Sequence, residues 1–233
     1  FRPISNLSTI SKIIERAALK QLQPHITSNP NYSPFQSAYR CTFSTETALL
    51  HIFDHVFHSC GSKEATMIAG LDLSAAFDTI DHPILLQRLK DDFGIDGLAL
   101  SWLASYLTGR SQFVKLGDHS SPTVQLTHGV PQGSVLGPLL FTSYISPIAD
   151  LLSSHNVAYH QYADDTQLFI PISPKDPTDL SSRINRLTSC IQAVETWFLH
   201  NNLQFNTSKT EVSILGSHHL INSLSHIKSI NLD

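Results

Sequence analysis

Two adjacent aspartates, Asp164 and Asp165, interrupt an apolar stretch that otherwise has the composition of a β-strand, YHQYADDTQLFI at 159–170. Carboxylates are almost never buried without a partner, and two side by side repel each other. A third carboxylate, Asp72, follows another apolar stretch in LDLSAAFD at 71–78. Three carboxylates at the ends of two strands could bind a hard divalent cation, whose charge would relieve the repulsion.

The residues alone leave two explanations of this pattern open. Aspartate is common in turns, so ADDT could be an ordinary hairpin turn. Alternatively, the carboxylates could hold two divalent ions about 4 Å apart, which would stabilise the attacking and leaving oxygens of a phosphoryl transfer. The aspartate pair by itself does not decide between a turn and a metal site.

Several segments of the chain match, in order, the motifs of one polymerase family. YADD has the pattern Tyr-x-Asp-Asp, and LDLSAAFDTIDH has the pattern hydrophobic-Asp-x-x-x-x-aromatic-Asp. The further segments are FRPISNLSTISKIIER, SPFQSAYR, GVPQGSVLGPLLF and LQFNTSKTE. Together they cover nearly the whole chain, and they resemble the reverse transcriptases of non-LTR (LINE-type) retrotransposons. The alternatives are an inactive, truncated relic of such an element and a reverse transcriptase of the group II intron or retron type.

The resemblance implies a role for each carboxylate. Asp72 and Asp164 would bind two Mg²⁺ ions, with Mn²⁺ as a possible substitute, and Asp165 would support them. The main-chain carbonyl of Leu73 could also face a metal. The reaction would be RNA-directed DNA synthesis, in which a primer 3′-OH attacks a dNTP.

Other residues take nucleotide-binding and template roles by the same resemblance. Phe77 would exclude a ribose 2′-OH, and Lys209 would protonate the pyrophosphate leaving group, for which a general acid is suited. The remaining predicted contacts are Gln132 and Gly133 to the incoming nucleotide, Arg2 to its triphosphate, and Arg40 and Gln36 to the template. The structural alternatives are an ordinary core Phe, a solvated loop Lys and a turn before a helix.

The elements predicted around these motifs favour an α+β fold. We predict a right-hand polymerase palm, with an antiparallel sheet packed on helices, plus part of the fingers and without a thumb. The fingers would be 1–64 and the palm 65–233, with the hairpin at 111–128 on the fingers side. The apolar period predicts a first helix with Ser11 as a possible N-cap, and one continuous helix in GSVLGPLLFTSYISPIADLLSS.

The bulk composition gives no electrostatic sign of nucleic-acid binding, because the net charge is −4 and the pI about 6.3. Cys41, Cys60 and Cys190 lack metal-type spacing, which favours reduced intracellular thiols. A helical face with His51, Asp54, His55 and His58 has a spacing that can hold a metal, but we interpret it as a solvated face.

The partners implied by the resemblance are an RNA template, a DNA primer, dNTPs and the rest of a retrotransposon polyprotein with its endonuclease and thumb. We expect the chain to be a fragment of that polyprotein, because it begins without Met. No membrane partner and no targeting signal are expected. The protein would be intracellular and would act in the nucleus at the step of reverse transcription.

Overall fold

The computed structural model describes residues 4–225 and 227. The helices are α1 (Thr9–Thr27), α2 (Thr45–Gly61), α3 (His82–Asp91), α4 (Gly97–Leu107), α5 (Gly137–Ile145), α6 (Ile148–Ser154), α7 (Pro177–His200) and α8 (His218–Ser223). The strands are β1 (Ala65–Leu71), β2 (Leu73–Ser74), β3 (Ser111–Gln112), β4 (Lys115–Leu116), β5 (His119–Ser120), β6 (Val124–Gln125), β7 (Ala158–Tyr162), β8 (Asp165–Ile172), β9 (Gln204–Phe205) and β10 (Glu211–Leu215). A 3₁₀ turn covers Thr207–Lys209. No helix in this described part is both long and apolar enough to cross a membrane.

The chain divides into two compact units that interleave in sequence. The first contains 1–32 and 75–145, and the second contains 33–74 and 146–233. The predicted division into fingers (1–64) and palm (65–233) assigns functional subdomains and stays a prediction. The predicted α+β class with an antiparallel sheet is confirmed.

The first unit is mainly helical. Its core side chains come from α3, α4 and α5. The apolar period buries one face of α3 and of α4, whereas α5 is buried on all sides. Fully buried examples are Leu85, Leu89, Leu103, Leu107 and Phe141. Asp81 caps α3 by accepting a hydrogen bond from the Ile84 N–H at 2.9 Å. The predicted hairpin at 111–128 is present as two short ladders, β3 with β6 and β4 with β5.

The second unit contains a four-stranded antiparallel sheet in the order β10-β1-β8-β7. Helix α2 packs on β1 and β7, and α7 packs on β8 and β9. The central strands are buried along almost their whole length, which explains their near-continuous apolar sequences. The ends of β1 and β8 carry the predicted catalytic motifs.

Two helix predictions need correction. The first helix begins with Ser8 as its N-cap, because the Ser8 side chain accepts from the Ser11 N–H at 3.1 Å. The single helix predicted in GSVLGPLLFTSYISPIADLLSS is two helices, α5 and α6, that separate at Ser146 and Pro147. Proline lacks the N–H that a continuing helix would need, so α5 ends before it.

The interpretation of the histidine face of α2 as solvated is wrong for His51 and His55. His51 lies 4.9 Å from the ring of His160 on β7, and His55 lies 4.7 Å from the ring of Phe169 on β8. His160 is buried, and neither of its ring nitrogens has a hydrogen-bond partner among the described residues. Burial, with a smaller contribution from His51, lowers the pKa of His160 to about 4. His51 and His55 on this face of α2 therefore pack on the sheet.

The His160 pKa predicts acid sensitivity of the fold. The folded pKa of about 4 lies below the usual 6.5, so the unfolded chain binds more protons between these values. The free energy of unfolding should be highest above pH 6.5 and fall as the pH drops toward 4. Urea unfolding at several pH values measures this. His160→Phe should flatten the dependence, whereas His58→Gln, on the exposed side of α2, should leave it unchanged.

Candidate active site

The aspartate pair lies at the tip of the β7–β8 hairpin. Tyr162 pairs with Asp165 across the hairpin, so Ala163 and Asp164 form the connecting turn. Asp164 is half-buried and Asp165 is exposed. The predicted turn between two apolar strands is confirmed, and it presents both carboxylates at one end of the sheet.

Asp72 lies at the same end of the sheet. In the antiparallel β1–β8 ladder Leu71 pairs with Thr166. At the next position of this register, Asp72 lies opposite Asp165. Side chains directly opposite each other on antiparallel strands lie close together and on the same face. The register therefore makes Asp72 a neighbour of the aspartate pair, although Asp72 and Asp164 are far apart in sequence.

The segment after β9 holds Asp72 in place. The Asn206 side chain donates to Asp72 Oδ2 at 3.0 Å, and the Asn206 N–H donates to the Asp72 carbonyl at 2.9 Å. Lys209 Nζ lies 3.7 Å from the same Oδ2, which reduces the negative charge at this carboxylate. Sequence analysis missed Asn206, although its segment LQFNTSKTE was recognised.

The Leu73 backbone is oriented by the same segment. Leu73 pairs with Phe205, and the bond from the Asn206 N–H to the Asp72 carbonyl flanks this pair. That bond pattern marks a non-hydrogen-bonded pair of an antiparallel ladder, whose own backbone groups point away from the partner strand. This orientation leaves the Leu73 carbonyl free of the partner strand. Its contact with a metal stays a prediction.

The loop at 33–40 lies against the aspartate turn. Gln36 is fully buried, and its side-chain amide bonds to the backbone of Ala163 and Ala38. The predicted template contact of Gln36 is therefore wrong, because the amide is enclosed and already engaged. Tyr39 is a further residue that sequence analysis missed. Partial burial and the negative charge of Asp164 raise the pKa of its phenol, which stays protonated at neutral pH.

Arg40 braces the same loop. Its Nη1 donates to the carbonyls of Pro34 and Gln36, each at 3.2 Å, and its guanidinium lies 4.5 Å from the centre of the Phe43 ring. The template contact of Arg40 stays a prediction. No sequence signal distinguishes an arginine that braces a loop from one that binds phosphate.

In the first unit, the GVPQG loop is bound to the segment that carries Phe77. The Val130 N–H donates to the Phe77 carbonyl at 2.8 Å, and the Gly129 N–H donates to the Ile80 carbonyl at 2.7 Å. The Phe77 ring stacks on Phe141 with ring centres 4.9 Å apart. A Cβ on Gly129 would lie 2.7 Å from the Asp78 carbonyl oxygen, so the close approach of these two motifs requires glycine.

Gln132 and Gly133 complete this loop. The Gln132 side chain donates to Asp78 Oδ2 at 3.1 Å. Partial desolvation raises the pKa of Asp78, and this hydrogen bond opposes that effect. Asp78 thus pairs with Gln132, whereas Asp81 caps the start of α3. Gly133 has a positive φ of 91°.

Glu15 anchors the far end of the loop. This carboxylate is buried and accepts hydrogen bonds from the Val135 N–H at 2.7 Å and the Leu136 N–H at 3.1 Å. The Tyr106 hydroxyl donates to it at 3.4 Å, and burial raises the pKa of Tyr106 to about 12. Glu15 thus supplies an acceptor for N–H groups that precede α5 and have no helical partner.

The predicted residues therefore fall into two groups. The second unit brings Asp72, Asp164, Asp165 and Lys209 to one end of its sheet. The first unit brings Phe77 together with Gln132 and Gly133 on the GVPQG loop. Arg2 lies outside the described residues.

Comparison with known proteins identifies the family. The model of the family described as "Reverse transcriptase (RNA-dependent DNA polymerase)" matches residues 1–227. The chain belongs to this family. The predicted resemblance to non-LTR retrotransposon reverse transcriptases is thereby confirmed.

Curated relatives of this reverse transcriptase chain include proteins from mobile elements of Drosophila melanogaster. It is 28% identical to the RNA-directed DNA polymerase from mobile element jockey of Drosophila melanogaster, over 90% of this chain and 23% of that protein. It is 32% identical to the probable RNA-directed DNA polymerase from transposon BS of the same species, over 72% of this chain and 19% of that protein. The chain thus spans about a fifth to a quarter of these relatives.

Solved structures with a similar fold include telomerases of Candida. The apo telomerase of Candida tropicalis truncated from its C-terminal domain superposes with a TM-score of 0.61 and 13% identity, over 85% of this chain and 40% of that one. The telomerase of Candida albicans in complex with a telomeric RNA fragment gives a TM-score of 0.55 and 14% identity, over 88% and 34% of the two chains. At this identity the likeness concerns the fold alone.

Proposed function

We propose that this chain carries the polymerase site of an RNA-directed DNA polymerase of a non-LTR retrotransposon. The observation that carries the proposal is the sheet register, which makes Asp72 a neighbour of the Asp164–Asp165 turn in a chain of the reverse transcriptase family. The substrates would be an RNA template, a DNA primer and dNTPs. The rest of the polyprotein, with an endonuclease and a thumb, would supply further contacts.

The donor set suits divalent metal ions, which enzymes of this family use. Among residues 4–225 and 227, no cluster of three His, Cys, Asp or Glu side chains is preformed for a metal. Mg²⁺ commonly binds through one or two carboxylates and the substrate phosphates, and such a site needs no larger cluster of side chains. We propose that Asp72 and Asp164 hold two Mg²⁺ ions, or Mn²⁺ in their place, and that Asp165 supports them. When bound, the ions supply a Lewis acid that activates the 3′-OH and neutralises the phosphates.

The chain's own residues would position the reactants around these carboxylates. Asn206 keeps Asp72 Oδ2 fixed through its hydrogen bond. Lys209 Nζ, which lies 3.7 Å from that oxygen on an exposed side chain, would donate a proton to the departing pyrophosphate. Gln132 and Gly133 would contact the incoming nucleotide, and Arg2 its triphosphate.

Primer extension tests the proposed function. The 233-residue chain should extend a labelled DNA primer on an RNA template when dNTPs and Mg²⁺ are present. Asp72→Asn serves as the matched control, because it preserves the shape of the side chain and removes its charge. Equal extension by the parent and by this variant would refute the metal-binding role of Asp72. No extension by the parent would speak for the relic hypothesis against a working polymerase site.

Phe77→Val should relax the choice of sugar. If the stacked Phe77 ring excludes a 2′-OH, a smaller side chain should lower the preference for dNTPs over rNTPs by at least about tenfold. Incorporation rates of dCTP and CTP opposite the same template base measure this. Phe113→Val makes the same substitution at an exposed ring of the hairpin and should leave the preference unaltered. An unchanged preference in Phe77→Val would remove the sugar-excluding role.

A further inference from the structure

The turn that carries Asp164 has an unfavourable backbone conformation. Ala163, the first turn residue, has a φ of 56°. This left-handed region disfavours residues with a Cβ, and such residues persist there only when their surroundings hold them. Asp164 follows directly, so the Ala163 conformation sets the direction in which the Asp164 side chain leaves the hairpin.

One buried side chain holds Ala163 at both of its backbone polar groups. Gln36 Oε1 accepts from the Ala163 N–H at 2.9 Å, and Gln36 Nε2 donates to the Ala163 carbonyl at 3.1 Å. Oε1 also accepts from the Ala38 N–H at 3.1 Å. Gln36 has 0% exposed surface, so water does not compete with these bonds.

The backbone on either side of Gln36 is itself fixed to the hairpin. The Ser37 N–H donates to the Gln161 carbonyl at 3.0 Å, and the Gln161 N–H donates to the Phe35 carbonyl at 3.0 Å. These bonds place Gln36 beside Gln161 as in a parallel ladder. The Gln36 amide is therefore presented from a fixed backbone and does not depend on a flexible loop.

We propose that Gln36 is a positioning residue for the catalytic aspartates, which acts by holding Ala163 in the left-handed conformation. The proposal rests on the proposed polymerase function for its consequence, but the hold on Ala163 can be measured without catalysis. A glutamine suits this task because its amide offers one donor and one acceptor at the spacing of a peptide group. Methionine, of similar size, offers neither of them to Ala163.

Hydrogen exchange tests the hold on Ala163 directly. In the 233-residue chain, Gln36→Met should speed exchange of the Ala163 amide by at least about a hundredfold while the Phe169 amide in β8 stays protected. Gln161→Met is the matched control: it removes a buried amide of the same hairpin, which makes a single 3.4 Å contact with Thr166 Oγ1 among the described residues. Unchanged protection of Ala163 in Gln36→Met would overturn the proposal.

Mn²⁺ binding and catalysis test the consequence for the aspartates. Gln36→Met should weaken Mn²⁺ binding, measured by water-proton relaxation, about tenfold, and should lower kcat for nucleotide addition about 10- to 100-fold with the dNTP KM within twofold. Gln161→Met should change neither. Mn²⁺ affinity and kcat that both match the parent would show that the aspartates do not need Gln36. A parent that binds Mn²⁺ but does not polymerise would refute the proposed function and leave the Mn²⁺ result to decide the role of Gln36.

A second substitution separates this role from a general need for a packed core. Ala163→Gly removes the Cβ that makes a φ of 56° unfavourable. Added to Gln36→Met, it should restore at least half of the lost Mn²⁺ affinity, because glycine adopts this conformation without an external hold. If the double variant were as impaired as Gln36→Met alone, the left-handed conformation would not be what Gln36 maintains.

Discussion

Asp164→Asn should reduce RNA-templated nucleotide addition by at least about a thousandfold, which is the scale of loss when a group that stabilises transition-state charge is removed. Asn keeps the shape of the side chain but lacks the charge needed to hold a divalent ion. Asp164 is half-buried in the hairpin turn, where a neutral replacement should leave the fold intact. Single-turnover incorporation of one nucleotide measures the loss, and far-UV circular dichroism verifies the fold.

The matched control for this prediction is the neighbouring carboxylate. Asp165→Asn should reduce the same rate less, about 10- to 100-fold, because Asp165 is exposed and begins β8 beside Tyr162. A larger loss in Asp165→Asn than in Asp164→Asn would reverse the assignment of ligand and supporting carboxylate.

Gly129→Ala should be the most destabilising single-methyl change in the described part of the first unit, at about 3 kcal/mol or more. Its added Cβ would lie 2.7 Å from the Asp78 carbonyl oxygen, and its φ of 82° is unfavourable for alanine. The GVPQG loop would have to leave the Phe77 segment. The free energy of unfolding from urea titration measures the change.

Gly94→Ala separates the two causes of this cost. Gly94 has a similar positive φ of 65°, but nothing lies within 4 Å of the position of its Cβ. Gly94→Ala should lower the free energy of unfolding by about 1 kcal/mol, from backbone strain alone. Equal costs at the two positions would mean that the contact between Gly129 and Asp78 contributes nothing to stability.

The sequence predicted the elements around the aspartates well because their signals are local. Apolar runs on either side of ADDT predict a hairpin, and Asp81 with Pro83 predicts the start of α3. Pro147 is also a local signal for a helix break, but the apolar residues on both sides of it favour one continuous helix. The helical spacing of the apolar residues alone could not show where α5 ends and α6 begins.

The supports of the site could not be predicted because they join distant parts of the chain. Gln36 and Ala163 are 127 residues apart, and Glu15 and Val135 are 120 apart. A glutamine in SPFQSAYR gives no sign that its amide will be buried. The prediction of a solvated histidine face on α2 was wrong for the same reason, because its partners His160 and Phe169 lie on other elements.

We propose that Asp72 and Asp164 form one catalytic site at the strand ends. Single-nucleotide incorporation on an RNA template, measured for the parent, Asp72→Asn, Asp164→Asn and the double variant, tests it most directly. Residues that act as a unit give non-additive losses, so the double variant should be no slower than the slower single variant by more than about threefold. Losses that multiply in the double variant, or incorporation by the parent that neither substitution reduces, would contradict a shared site.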